Sequence, residues 1–180
     1  LSPGMVYVST RIDNTWTGQT LLKASNAESS DQFGASVSIQ GETLVVGAPD
    51  ESSSANGGES DNSAQGAGAV YVFFRGANGW TQQAYLKASN AEEYDYFGSS
   101  VAIYGDTLVV GAPGEDSAVV GDEDDNSGYE LGAAYVFSRI GDIWSQQAYL
   151  KGAEAGSFGA SVAIHEDTLV VGDPFSGRTG

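Results

Sequence analysis

The side chains best suited to chemistry lie in one stretch of this 180-residue chain, GEDSAVVGDEDDNSGYELG at residues 114 to 132. It supplies Glu115, Asp116, Asp122, Glu123, Asp124, Asp125, Asn126 and Glu130. Hard oxygen donors on alternating residues can converge on calcium, and Asp122, Asp124 and Asn126 stand at the i, i+2, i+4 spacing that such loops use. With Asp125, Glu115 and Asp116 they make the candidate metal set, and calcium is the cofactor it would take. The equivalent loop earlier in the chain, DESSSANGGESDNSAQG, keeps only Asp50, Glu51, Glu59, Asp61 and Asn62. Runs of like charge also occur as plain solvated loops, so both readings stand.

A second set is aromatic. Trp16, Trp80 and Trp144 recur at a fixed interval of 64 residues, with Tyr85 and Tyr149 five residues beyond the last two. Such rings can stack on sugars in pockets between structural units, or pack beneath the strands that carry them. Catalysis finds no support: His165 is the lone histidine, cysteine is absent, and no serine sits in a nucleophile-elbow pattern. The paired carboxylates lie in acidic loops, where burial would not perturb them. The chain is expected not to be an enzyme.

Composition bounds the partners. With 24 acidic against 7 basic residues, the net charge of −17 repels nucleic acid and anionic membrane and favours cations or basic partners. No apolar run approaches the roughly 20 residues of a membrane span. Glycine at 25 residues, with abundant Ser, Thr, Asn and Asp, suits short strands joined by turns.

The elements that position these residues are repeated. FGASVSIQGETLVVGAP at 33 to 49 returns as FGSSVAIYGDTLVVGAP at 97 to 113 and as FGASVAIHEDTLVVGDP at 158 to 174. Each copy predicts a strand of alternating apolar and small residues, a tight turn, and a strand whose unbroken apolar run implies burial on both faces. After the long polar loop, a second hairpin follows, as in GAAYVFSR and WSQQAYLKG. The chain thus divides into outer strands at 1–32, full units at 33–96 and 97–157, and inner strands at 158–180. Such units cannot bury both faces alone, so neighbours must stack. The expected fold is all-β, with four-stranded antiparallel blades of a β-propeller in an incomplete ring.

The paired signatures, Phe33-Gly34 with Gly47-Ala48-Pro49, Phe97-Gly98 with Gly111-Ala112-Pro113, and Phe158-Gly159 with Gly172-Asp173-Pro174, resemble the FG-GAP repeat of integrin α subunits and many other extracellular proteins. The resemblance implies a propeller, an adhesive or ligand-binding role without enzymatic activity, and an extracellular, secreted or cell-surface location. The integrin version also implies a calcium loop between the two signatures. Here that hairpin has shrunk to IQGETL, IYGDTL and IHEDTL, too few oxygens for the about six to eight that calcium prefers.

Within the signatures, Phe33, Phe97 and Phe158 are expected to wedge between units, and the following glycines to permit close backbone approach. Asp31 and Asp95, two residues before their Phe-Gly, are expected to accept backbone N–H bonds. Arg11, Arg75 and Arg139 end the third strands and Lys23, Lys87 and Lys151 the fourth, a regularity that implies structural pairing. The register of the two ends implies a piece of a longer propeller, or else a protomer whose blades other chains complete. The expected partners are a protein or glycan ligand at a cell surface or matrix, and further FG-GAP blades. A sugar-binding propeller and a self-assembling building block remain the alternatives.

Overall fold

The structure, a computed structural model, describes residues 3–55, 58–119, 122–123, 125–128, 130–152 and 156–175. Among them are twelve strands and no helix: β1 (Val6–Ile12), β2 (Thr15–Leu22), β3 (Ser36–Gln40), β4 (Thr43–Ala48), β5 (Ala69–Gly76), β6 (Gly79–Leu86), β7 (Ser100–Tyr104), β8 (Thr107–Ala112), β9 (Ala133–Ile140), β10 (Ile143–Leu150), β11 (Ser161–His165) and β12 (Thr168–Gly172). β3 to β6 form one four-stranded antiparallel sheet in chain order and β7 to β10 a second, while β1–β2 and β11–β12 are two-stranded.

Short turns make each sheet a meander. Gln40 pairs with Thr43 and Tyr104 with Thr107, which leaves the two-residue turns Gly41-Glu42 and Gly105-Asp106. Gly41 and Gly105 adopt φ of 56° and 59°, the left-handed conformation that such hairpins require. No room remains there for a metal-binding loop. β4 is buried along its whole length and β8 from Leu108 onward, because each is the second strand of a four-stranded sheet with further strands packed on its faces. β12 carries the same residues at a free sheet edge, and its Val170 is 62% exposed.

The core lies between sheets. One apolar cluster joins Val6 and Leu22 of β1–β2 to Phe33, Val46, Tyr71 and Phe73, and another joins Val45, Val70, Val72 and Leu86 to Phe97, Leu108, Tyr135, Phe137 and Trp144. The first strands β3, β7 and β11 stand side by side, while the outer strands β6 and β10 approach at few points.

The recurring signatures meet at these junctions. The backbone of Phe97 bridges in parallel to Gly68 of the preceding sheet, and Phe33 and Phe158 bridge likewise to Gly4 and Gly132. The Phe97 ring is fully buried and turns edge-on to Tyr135 and Phe137 at 5.4 and 5.9 Å. Phe33 repeats this with Tyr71 and Phe73. Gly98 then takes φ 93°, which carries its carbonyl onto the preceding sheet, where Ser36 Oγ donates to it at 2.7 Å. Gly47 lies against that carbonyl so closely that a Cβ on it would overlap the oxygen. Gly111 and Ser100 receive the carbonyl of Gly159 in the same way, with a 2.8 Å hydroxyl bond. The Phe-Gly of one sheet therefore docks on the Gly-Ala-Pro of the sheet before it.

Candidate functional site

Two long loops, residues 49–68 and 113–132, connect the second and third strands of the four-stranded sheets. The first glutamate of each turns inward. Glu51 and Glu115 are each 1% exposed; Glu51 meets Lys87 Nζ at 3.1 Å and Glu115 meets Lys151 Nζ at 2.6 Å. Glu51 also accepts bonds from the Ser53 amide, the Tyr85 hydroxyl at 2.9 Å and the Asn26 side-chain amide at 3.2 Å. Asn26 comes from the connector leading into the sheet, and its carbonyl oxygen accepts the Tyr71 hydroxyl at 2.6 Å. Asn90 and Tyr135 reproduce this bond at 2.7 Å. Buried charges persist only when paired and hydrogen-bonded, and these are. Burial pushes the Lys87 ammonium below its usual range, against the pull of Glu51, and desolvation raises the Tyr71 and Tyr85 phenols.

The remaining loop carboxylates hold the loop itself. Asp61 accepts the Ser54 amide and hydroxyl at 2.8 and 2.7 Å, and these bonds, led by the backbone one, hold its carboxyl down at about 2. Asp125, its counterpart, accepts the amides of Ala118 and Val119 at 2.8 and 3.1 Å and the Ser127 hydroxyl at 2.9 Å. Asn126 donates to Glu92 at 2.8 Å, as Asn62 donates to Glu28. Asp116 accepts the Glu130 amide through its carboxylate and the Gly128 amide through its backbone carbonyl. Asp122 is exposed and its backbone carbonyl accepts the Ser117 hydroxyl, while Asp124 lies outside the described residues. Of the six residues read from sequence as calcium ligands, Glu115 is directed at a lysine, Asp125 at backbone amides and Asn126 at Glu92. Among the described residues, no group of three or more His, Cys, Asp or Glu is arranged to hold a metal.

The tryptophans divide by their neighbours. Trp144 is 8% exposed, with the Arg139 guanidinium 5.2 Å from its ring centre, and Trp80 packs half-buried against the cluster beneath β1–β2. Trp16, on β2, is 71% exposed. Beside Trp144 a groove of about 500 Å³ runs between the outer strands, bordered by Phe137, Tyr85, Gln146 and Ser89.

The connectors before each Phe-Gly are shaped by buried carboxylates. Asp31 and Asp95 accept the amides of Glu28 and Glu92, each at 2.8 Å. Desolvation outweighs these bonds, raising the Asp31 carboxyl and lifting Asp95 to about 7, with Glu115 and Glu92 adding repulsion. The third connector is shorter and has Gly156 in place of this aspartate. There Asp173 reaches over to accept the Ser157 amide at 2.9 Å, and a Cβ on Gly156 would overlap its carboxylate. The break in the third Gly-Ala-Pro is therefore paired with the break in its connector.

Between the first full connector and the next lies the feature that sequence reading missed, a cavity of about 520 Å³ bordered by Glu28, Asp31, Asp50, Tyr94 and Tyr96. Its sequence signal was the pair of tyrosines standing where the preceding repeat has Ser30 and Gln32.

Stacked four-stranded antiparallel sheets, interlocked by a Phe-Gly and a Gly-x-Pro signature, define a β-repeat module. The FG-GAP repeat model matches residues 16–73 and 80–137, over half of the chain, and the chain belongs to that family. No curated protein matches it significantly. Each matched span begins at the tryptophan of one outer strand and ends in the third strand of the following sheet, so the sequence repeat straddles the interface between sheets. Repeats of this family are typical of extracellular proteins, and among the described residues no helix is long and apolar enough to cross a membrane.

Proposed function

We propose that the chain is a non-enzymatic part of a β-propeller that binds a protein ligand outside the cell, in an adhesive or surface-assembly role. The observation that carries this reading is the docking of Gly98 on Gly47 and of Gly159 on Gly111, one interface used twice, which continued around an axis generates a ring of blades. The free edges of β1 and β12 extend the same logic. β4 and β5 pair Val45 with Val72, so β12 would place Val170 opposite the counterpart of Val8 on a further FG-GAP strand, from the same parent chain or another. The single histidine, exposed His165, has its ring centre 5.1 Å from that of Tyr104.

Binding of the labelled chain to an array of immobilised matrix and cell-surface proteins tests the proposal. Saturable binding to at least one protein is expected, and its absence across the array contradicts an adhesive role. The groove beside Trp144 favours a second reading, a sugar stacked on aromatic rings. A glycan-array signal that Trp144→Phe preserves and Trp144→Leu abolishes, with the fold intact in both, would select it.

A further inference from the structure

The two buried ion pairs have a third and a fourth member that charge neutralisation does not require. Asn26 donates one hydrogen of its side-chain amide to Glu51 Oε1 at 3.2 Å and the other to the Glu59 carbonyl at 2.8 Å, while its own oxygen accepts the Tyr71 hydroxyl at 2.6 Å. Lys87 Nζ meets Glu51 Oε2 at 3.1 Å, so a single carboxylate spans an amine and a primary amide. The lysine and glutamate side chains are 7% and 2% exposed, and Tyr71 is fully buried. The next repeat builds the same set from Lys151, Glu115, Asn90 and Tyr135, with 2.6 Å from amine to carboxylate, 3.3 Å from amide to carboxylate and 2.7 Å from phenol to amide oxygen. An ion pair needs only the first two of these four residues.

The four side chains are the parts of an amide exchange. A lysine amine is a nucleophile only when neutral, and burial pushes Lys87 toward that form. A carboxylate within reach of both nitrogens can take a proton from the amine and hand one to the departing amide nitrogen. A phenol aimed at the amide oxygen stabilises the charge that gathers there as the amine attacks. Desolvation raises Tyr71 and Tyr135, which keeps both protonated as donors. Reactants held in place gain effective molarities of about 10⁵–10⁸ M, and a bond made once per molecule tolerates a slow step.

We propose that Lys87 and Asn26, and likewise Lys151 and Asn90, join by spontaneous isopeptide bonds after the chain folds. The lysine Nζ attacks the asparagine Cγ, the new C–N bond forms, the old bond to Nδ2 breaks, and Nδ2 leaves as ammonia. The ammonium and carboxylate of the starting pair become an amide nitrogen and a protonated glutamate, so atoms and charge balance without a further reactant. The ion-paired fold is the state before this step. Each bond fastens the end of an outer strand, β6 or β10, to the connector from the sheet before, on the side where successive sheets approach at few points. The third connector, KGAEAG, has no asparagine and offers no such amide.

Intact-mass spectrometry of the purified, folded chain after prolonged incubation, followed by digestion and fragmentation of its peptides, tests the proposal. The mass is expected to fall below the sequence mass by one ammonia per site, and branched peptides should join Lys87 to Asn26 and Lys151 to Asn90. Lys87→Arg keeps a cation for Glu51 but supplies no neutral amine, so it should lose a single ammonia and show only the Lys151 branch. Asn26→Asp should form the Lys87 bond with loss of water instead. A parent chain at its full sequence mass, an ammonia loss that maps to cyclised asparagine-glycine pairs with no lysine branch, or an unchanged loss in Lys87→Arg overturns the proposal. The parent measurement needs no variant to fold, and its result is independent of the protein array.

Discussion

Gly111→Ala puts the docking of Phe-Gly on Gly-Ala-Pro to a quantitative test. The added Cβ would stand 2.8 Å from the carbonyl carbon of Gly159 and closer still to its oxygen. Ordinary carbon contacts begin at about 3.5 Å, so the β11–β12 hairpin must retreat by at least about 0.7 Å. That retreat stretches the 2.8 Å bond from Ser100 to Gly159 and loosens the parallel bridge between Gly132 and Phe158. Overpacking costs about 1–3 kcal/mol and a lost hydrogen bond about 0.5–1.5, which together give about 2–4 kcal/mol. Gly76→Ala is the control, since that glycine has nothing within 4 Å of an added Cβ and no left-handed φ, and its effect should stay within about 0.5 kcal/mol. Chemical denaturation followed by tryptophan fluorescence measures both. Equal stabilities for the two variants would refute the claim that this glycine is present for the neighbouring sheet.

Lys151→Met should destabilise by about 3–5 kcal/mol, because it leaves Glu115 buried without its cation; Lys151→Met/Glu115→Gln should recover much of the loss in the same denaturation assay. Asp95, lifted by burial to about 7 in the fold from the 3.8 of an ordinary aspartate, binds its proton more tightly folded than unfolded. Its contribution is therefore present below about pH 4 and is lost as pH rises toward about 7. Melting temperatures measured from pH 4 to pH 8 should show this decline in the parent chain and a flatter profile in Asp95→Asn. Gly156→Asp alone should destabilise, because the new side chain overlaps Asp173, whereas Gly156→Asp/Asp173→Ala, which restores the pattern of the earlier repeats, should be close to the parent in thermal unfolding.

Local features of this fold were legible in the sequence because they are set by neighbours in the chain. The two-residue turns at Gly41-Glu42 and Gly105-Asp106 follow from glycine's access to positive φ, and the burial of β4 and β8 follows from their unbroken apolar runs. The pairing of Lys87 and Lys151 with carboxylates was readable as a regularity, but its partners were not. Glu51 and Glu115 each lie 36 residues from their lysine, and nothing in an acidic loop distinguishes the one residue that turns inward. Glu115 accordingly read as a metal ligand beside Asp116, while only the fold reveals the lysine against it. Asp173 looked like a defect in a signature until the shortened connector was brought next to it. The tyrosine cavity was invisible for the same reason, since its walls come from three separate stretches of the chain.

The claim that the recurring phrase is an interlock between consecutive sheets is tested most directly by NMR distances across the junctions. Strong nuclear Overhauser contacts are expected from the α-protons of Gly47 to Gly98 and Ser99, and from those of Gly111 to Gly159 and Ala160. Their absence in a fully assigned spectrum that still shows the β3–β4 and β7–β8 hairpins would contradict the account.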